Sequence, residues 1–266
     1  MKKILVVCLM LFVHAAWAGD FEDGIAAYKE KRFDIALTKL KMAANNNNVN
    51  AQLFIGLMHY NGQGIARNYE KALSWFSMAA AQNNPDAQFF IGLINFEGQG
   101  VTQNYAEAVK WFKLSAQMGN VDAQYMLASL YSEGVGVTKN EELAIKLYEQ
   151  AAQNNNQNAQ YDLGIIYYQG KGVVQNYLEA INWWQKAAQQ GNVLAQFNLS
   201  TMYANGQGVA KSYVKAHMWA NLAASKGYVD AIKSRDIFAK EMTSQQISQA
   251  QQMATACQAS NFKSCD

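Results

Sequence analysis

Proline is almost missing from this chain: Pro85 is the single one in 266 residues, alongside three cysteines and three histidines. So little proline excludes collagen-like and Pro-rich linker structures. Charge is sparse as well. Charged residues make up 16% and hydrophobic residues 50%, too apolar and too weakly charged for an intrinsically disordered chain. Setting aside Lys2 and Lys3, which lie in a segment expected to be removed, leaves 20 basic residues against 20 acidic ones. A nucleic-acid binder carries a basic excess or stripe, and this chain has none, so no nucleic-acid partner is expected. Long apolar runs are scarce too. The run Ile4–Val13 has ten residues, about half of what a bilayer core requires.

That run belongs to a leader. Residues 1–18 read as a secretory signal peptide: Lys2 and Lys3 form a basic start, the apolar run follows, and Ala16-Trp17-Ala18 places small residues before a cut at Gly19. Cys8 lies too early for a lipoprotein cut. The expectation is an exported protein, periplasmic or secreted, with no integral membrane segment after cleavage. Removal of the leader leaves Cys257 and Cys265. An even cysteine count in an exported chain favours a disulfide, here closing a short C-terminal loop that would stop the last helix fraying.

A 36-residue repeat dominates the rest. The pairs Gly62/Gly64, Gly98/Gly100, Gly134/Gly136, Gly170/Gly172 and Gly206/Gly208 keep that step. So do the Ala-Gln pairs beginning at Ala51, Ala87, Ala123, Ala159 and Ala195, and the alanines 72, 108, 144, 180 and 216. Trp75, Trp111, Trp183 and Trp219 share a column, with Leu147 as the exception. Five units follow, at 51–86, 87–122, 123–158, 159–194 and 195–230. Residues 19–50 make a shorter N-terminal capping hairpin, and 231–266 make C-terminal capping helices, the second near 244–259.

Each unit reads as a helical hairpin. Helix A is expected over about 51–61 of the first unit, with Asn50, Asp86, Asp122 and Asn158 as N-caps of successive copies. Helix B, over about 69–82, carries Ala72, Leu73, Trp75, Phe76, Ala79 and Ala80 in the spacing of an apolar stripe. The G-x-G between them allows positive φ after helix A. The small column Gly56, Gly92, Ala128, Gly164 and Ser200 lets helix A approach its partner, and the Trp and Phe columns fill the space between hairpins. A 36-residue hairpin cannot bury its apolar face alone, so neighbours must stack.

The pattern resembles the Sel-one-like repeat (SLR) family, a branch of the tetratricopeptide-like proteins. The second unit carries it in full: Ala87-Gln88, Gly92, Gly98-Gln99-Gly100-Val101, Tyr105, Ala108, Trp111-Phe112 and Ala116. The resemblance implies an all-α fold, a right-handed α/α superhelical solenoid of tandem 36-residue hairpins. It also implies adaptor function, with exported bacterial members similar to factors of envelope maintenance and host interaction. A cysteine-rich branch linked to β-lactam or murein binding staples each repeat with a disulfide, whereas no repeat here contains cysteine.

Columns that stay constant between copies serve stacking, and columns that vary are free to bind. On helix A the positions starting at Asn50, Phe54, Leu57 and Asn61 fall within roughly 40° of one another. The varying stripe is apolar in its first half, through Phe54, Leu57, Phe90, Leu93 and Met126, rimmed by Glu97 and Glu133. It turns polar in its second half, through Asp162, Gln169, Asn198 and Thr201. These residues are the candidate lining of a concave groove for a peptide or protein segment. The competing reading is that Phe54, Phe90 and Met126 merely fill the interior.

Chemistry is harder to find. The G-x-G pairs follow helices rather than strands, which argues against phosphate loops. His59 and His217 lack a ligand cluster, so no metal or cofactor site is expected. His59 shares a column with Asn95, Tyr131, Tyr167 and Tyr203 and reads as a packed polar position. Tyr167-Tyr168 and Trp183-Trp184 are expected to fill core columns. Glu97 and Glu133 read as solvated surface rather than a glycosidase pair. No catalytic residue is assigned. The expected function is non-catalytic protein binding or scaffolding in the bacterial envelope. The alternatives are a cell-wall or β-lactam-related enzyme or binder, and a secreted factor engaging host proteins.

Overall fold

A computed structural model describes residues 19–262 and 265; the leader expected over residues 1–18 lies outside the described residues. All regular structure among the described residues is helical. The chain divides into two compact units, residues 1–139 and 140–266. In the first, residues 19–29 form α1, followed by α2 (Phe33–Asn45), α3 (Val49–Asn61), α4 (Tyr69–Ala80), α5 (Pro85–Glu97), α6 (Tyr105–Gln117) and α7 (Val121–Glu133). The second holds α8 (Glu141–Gln153), α9 (Gln157–Gln169), α10 (Tyr177–Gln189), α11 (Val193–Asn205), α12 (Tyr213–Ala224), α13 (Val229–Lys240) and α14 (Ser244–Ala259). No helix among the described residues is long and apolar enough to cross a membrane.

Helix starts correct one sequence expectation. Helix A begins two residues earlier than expected, and its N-caps are Asn48, Asn84, Asn120, Asn156 and Asn192. Each accepts a hydrogen bond from the backbone N–H of the repeat's first alanine, as Asn84 does from Ala87 at 2.8 Å. Asn50, Asp86, Asp122 and Asn158 therefore lie inside the first turn and cap nothing. Helix B has its own caps, Asn68, Asn104, Asn140, Asn176 and Ser212. An Asn cap is worth about 1 kcal/mol over alanine, so this alternation supports every hairpin.

The hairpin turns follow the expected chemistry. Gly62 ends α3 in the left-handed conformation at φ 70°, and its N–H reaches back to the Met58 carbonyl. The second glycine of the turn has a different duty. A Cβ on Gly100 would come within 2.8 Å of Tyr69 Cβ, at the start of α4 in the preceding hairpin. The turn of one hairpin thus presses on the aromatic that opens helix B of the one before.

The small column also has a partner. A Cβ on Gly92 would stand 2.6 Å from the Phe112 ring, and Gly56 and Gly164 meet Phe76 and Trp184 in the same way. Phe76, Phe112, Tyr148 and Trp184 are buried, one per hairpin, and Trp184 Nε1 donates to the Tyr161 carbonyl at 3.1 Å. The neighbouring Trp column behaves differently. Trp219 is buried, but Trp75, Trp111 and Trp183 are only half-buried. Adjacent positions on a helix point about 100° apart, so Trp183 and Trp184 cannot both face the core. Trp183 lies instead on the surface of α10, with Lys186 Nζ 4.0 Å from the ring centroid.

The repeated glutamine forms a rung to the preceding hairpin. Gln160 Nε2 donates to the Ala152 carbonyl at 3.0 Å, and Gln52, Gln124 and Gln196 repeat the bond to Ala44, Ala116 and Ala188. These carbonyls lie in the last turn of helix B, and the glutamine joins the backbone N–H three residues on, which each of them also accepts. The rung is completed where residue i+30 is glutamine: Gln82 donates to Gln52 at 2.9 Å, and Gln190 to Gln160 at 2.8 Å. Position i+30 is Met118, Asn154 and Lys226 for the other three, and the Oε1 atoms of Gln88, Gln124 and Gln196 are buried without a partner.

At the C-terminus, α14 opens with a capping box, Thr243 with Gln246, and packs against α12. Leu222 is buried there. The corresponding Met42, Met78 and Leu114 are 49%, 44% and 45% exposed. Cys257, buried in this cluster, is joined to Cys265 by a disulfide.

Candidate functional site

The stripe predicted on helix A can be followed in each unit separately. On α5 it comprises Asp86, Phe90, Leu93 and Glu97. Phe90 and Leu93 are half-buried; Asp86 and Glu97 are exposed. Phe90 is held on its inner side: its ring stacks on Phe76 at 5.1 Å, with Tyr60 from α3 edge-on at 5.4 Å. On α7 the same positions are Asp122, Met126, Ser129 and Glu133. The middle two are half-buried and the outer two exposed. On α3, Phe54 and Leu57 are half-buried, and Phe54 lies edge-on to Phe21 and Tyr28 of α1. No residue of this apolar row is sealed: each is half-buried, and Phe54, Leu57 and Phe90 pack one side on the core.

Electrostatics sharpen the picture around Tyr60. Its hydroxyl is pushed up to about 12, chiefly by burial and then by the nearby Glu97 carboxylate. Asp86 is held in place by Asn120, whose Nδ2 donates to it at 2.8 Å. Asp86 and Asp122 lie on this stripe by helical spacing and, inside the first turn, cap nothing. The signal that distinguishes them is the asparagine column at 48, 84, 120, 156 and 192, which keeps the 36-residue step more strictly than the column two places later.

In the second unit the stripe carries other chemistry. Asp162 and Ile165 on α9 are half-buried and Gln169 is exposed; on α11, Asn198 and Thr201 are half-buried. Burial raises the pKa of the Tyr161 hydroxyl, while its hydrogen bond with Asn198 acts the other way. Thr201 Oγ1 turns back to the Asn198 carbonyl at 2.7 Å. Leu199 and Ser200, which follow Asn198, are fully buried.

The histidines lie apart from this stripe. His59 is half-buried. Its pKa is lowered by desolvation first and by Lys71 and Lys41 next. His217 is buried on α12. Desolvation lowers its pKa, Arg235 adds to the effect and Asp236 opposes it. No group of three or more His, Cys, Asp and Glu side chains among the described residues could hold a metal ion.

Tandem capped hairpins, glutamine rungs and glycine-to-aromatic contacts define a helical-repeat protein of the α/α solenoid class. The family model for the Sel1 repeat matches five consecutive segments, 49–84, 85–120, 121–156, 157–192 and 193–228, and the chain belongs to the Sel1 repeat family. These segments share the 36-residue step of the units read from the sequence and start two residues earlier, at the helix A starts of the structure. Comparison with curated protein sequences finds no match. Among solved structures, the chain is similar to a Sel1 repeat protein from Oxalobacter formigenes, at 32% identity and a TM-score of 0.74. The match covers 81% of this chain and 86% of that one. It is also similar to c5321, a protective antigen present in uropathogenic Escherichia coli strains and displaying an SLR fold, at 29% identity and a TM-score of 0.56. That match covers 86% of this chain and 58% of c5321. Immunity protein Pa5087 from Pseudomonas aeruginosa shares the fold at 20% identity, with a TM-score of 0.50 over 76% of this chain and 81% of that one. Sel1 repeats generally serve as protein–protein interaction scaffolds.

Proposed function

We propose that the chain is a non-catalytic scaffold of the bacterial envelope that binds a peptide or protein segment on the helix A face of its first unit. One observation carries the reading: Phe90, Leu93 and Met126 stay partly accessible on a stripe that turns polar at Asp162, Asn198 and Thr201. Apolar groups kept at a variable, accessible stripe tend to mark interfaces, because stacking does not require them there. The Cys257–Cys265 bond and the leader-like residues 1–18 support export, since structural disulfides persist in oxidising compartments. Photocrosslinking in cells tests the reading, with a photoreactive residue placed at position 90, at 126 or at 198. A discrete protein adduct from 90 and 126 and none from 198 is expected. Identical patterns from all three positions, or none from any, refute it.

A further inference from the structure

We infer that the first unit selects a cationic, apolar-anchored peptide segment, lying across α5 and α7 with its basic side chains between two rows of carboxylates. The inference rests on the docking face proposed above and adds the chemistry of its partner. On α5 the stripe runs from carboxylate through Phe90 and Leu93 to carboxylate, and on α7 two carboxylates flank Met126 and Ser129. Eleven residues separate the two carboxylates on each helix, about 16 Å at 1.5 Å per residue. An extended chain crossing the helices between these rows meets apolar side chains below and negative charge on either hand.

The charges are not explained by helix stability. Acidic residues in the first turn suit the helix dipole, and Asp86 and Asp122 have that benefit. Glu97 and Glu133 sit at the last residue of their helices, the end where a carboxylate is disfavoured by a few tenths of a kcal/mol. The helices of their own layer supply no cation, and the cation nearest in sequence to Glu133 is Lys139, in the loop after α7. Helices α3, α5 and α7 contain no lysine or arginine. The lysines of α6 are engaged elsewhere: Lys110 pairs with Glu107 at 2.9 Å, and Lys113 lies over the Tyr131 ring, about 140° around α7 from Met126. Arg67, in the loop after α3, lies over the Tyr69 ring. In the second unit the same stripe keeps a single carboxylate, Asp162. Facing rows of one sign reject like-charged segments and raise the encounter rate of opposite ones.

Selection from a random 12-residue peptide display library against the full chain tests this. The comparison adds two variants, Phe90→Ser/Leu93→Ser and Glu97→Lys/Glu133→Lys, each confirmed folded by its helical circular-dichroism spectrum and a cooperative melt. Enriched peptides should carry two or more Lys or Arg residues around Phe or Leu. Their affinity should fall about tenfold or more on either variant, and between 50 and 500 mM salt. Neutral or acidic peptides that bind the chain and are lost on the Phe90/Leu93 variant would overturn the cationic preference and leave the docking face standing. No enrichment, or peptides indifferent to the Phe90/Leu93 variant, would overturn both.

Discussion

Helices α5 and α11 share nearly everything that builds a hairpin. Both start from an asparagine cap, place Ala-Gln at the same turn and end at a left-handed glycine. They differ along one stripe: Asp86, Phe90, Leu93 and Glu97 on the first, Leu194, Asn198, Thr201 and Asn205 on the second. The same scaffold therefore carries an acidic, apolar face on α5 and a neutral, more polar one on α11. The constant columns serve stacking, whereas the stripe varies even though Phe90 packs its inner side on Phe76 and Tyr60 of the preceding hairpin.

The shared part should fail equally in both units. Phe112→Ala and Trp184→Ala each remove a buried aromatic pressed on a helix A glycine and should cost about 3–5 kcal/mol in denaturant unfolding. A loss below about 1 kcal/mol at either site would break the equivalence of the two cores. The disulfide belongs to the second unit alone. Cys257→Ser with Cys265→Ser should cost about 2 kcal/mol. Hydrogen exchange should quicken in α14 and remain unchanged in α3 and α5.

The glutamine rungs give a smaller, two-way test. Gln190→Met strips Gln160 Oε1 of its donor and should destabilise by about 1 kcal/mol or slightly more. Met118→Gln supplies the missing donor to Gln88 and should stabilise by up to about 1 kcal/mol. Opposite signs at equivalent positions confirm the rung; equal signs reject it. The smallest effect is expected from pH. Both histidines have pKa values lowered from 6.5 by desolvation, so the folded state favours the neutral ring. The unfolded chain takes up protons first as pH falls through 6.5. Stability is therefore full above that value and declines below it. Melting between pH 7.5 and 5 should reveal this slope, and His217→Asn should flatten it more than His59→Asn, since His217 is the more buried.

How much of this was legible beforehand depends on what each residue answers to. The 36-residue step gave the helices and their turns, because glycine at positive φ and alanine at close contacts leave few substitutes. The starts of helix A were misplaced by two residues. Asn45 to Asn48 offer several capping side chains in a row, and only the backbone decides which one accepts. Asp86 and Asp122, which their spacing already places on the stripe, looked like caps and are instead exposed in the first turn. Trp183 was misjudged for another reason: identity along a column suggests burial, but burial depends on which face of helix B the next element covers. Trp219 is buried on α12, against which α14 packs; Trp183 lies on the surface of α10. The glutamine rungs were invisible because their partners lie 8 and 30 residues away.

The central claim is that recognition resides in the variable stripe of the first unit. Its most direct test is a graft. Phe90→Asn, Leu93→Thr and Met126→Asn give α5 and α7 residue types that α11 carries at the equivalent positions, and affinity is then measured for a peptide selected on the parent chain. The account predicts at least about a tenfold loss in a chain that still folds, with melting lowered only by the lost packing of Phe90 on Phe76 and Tyr60. Undiminished affinity would contradict it.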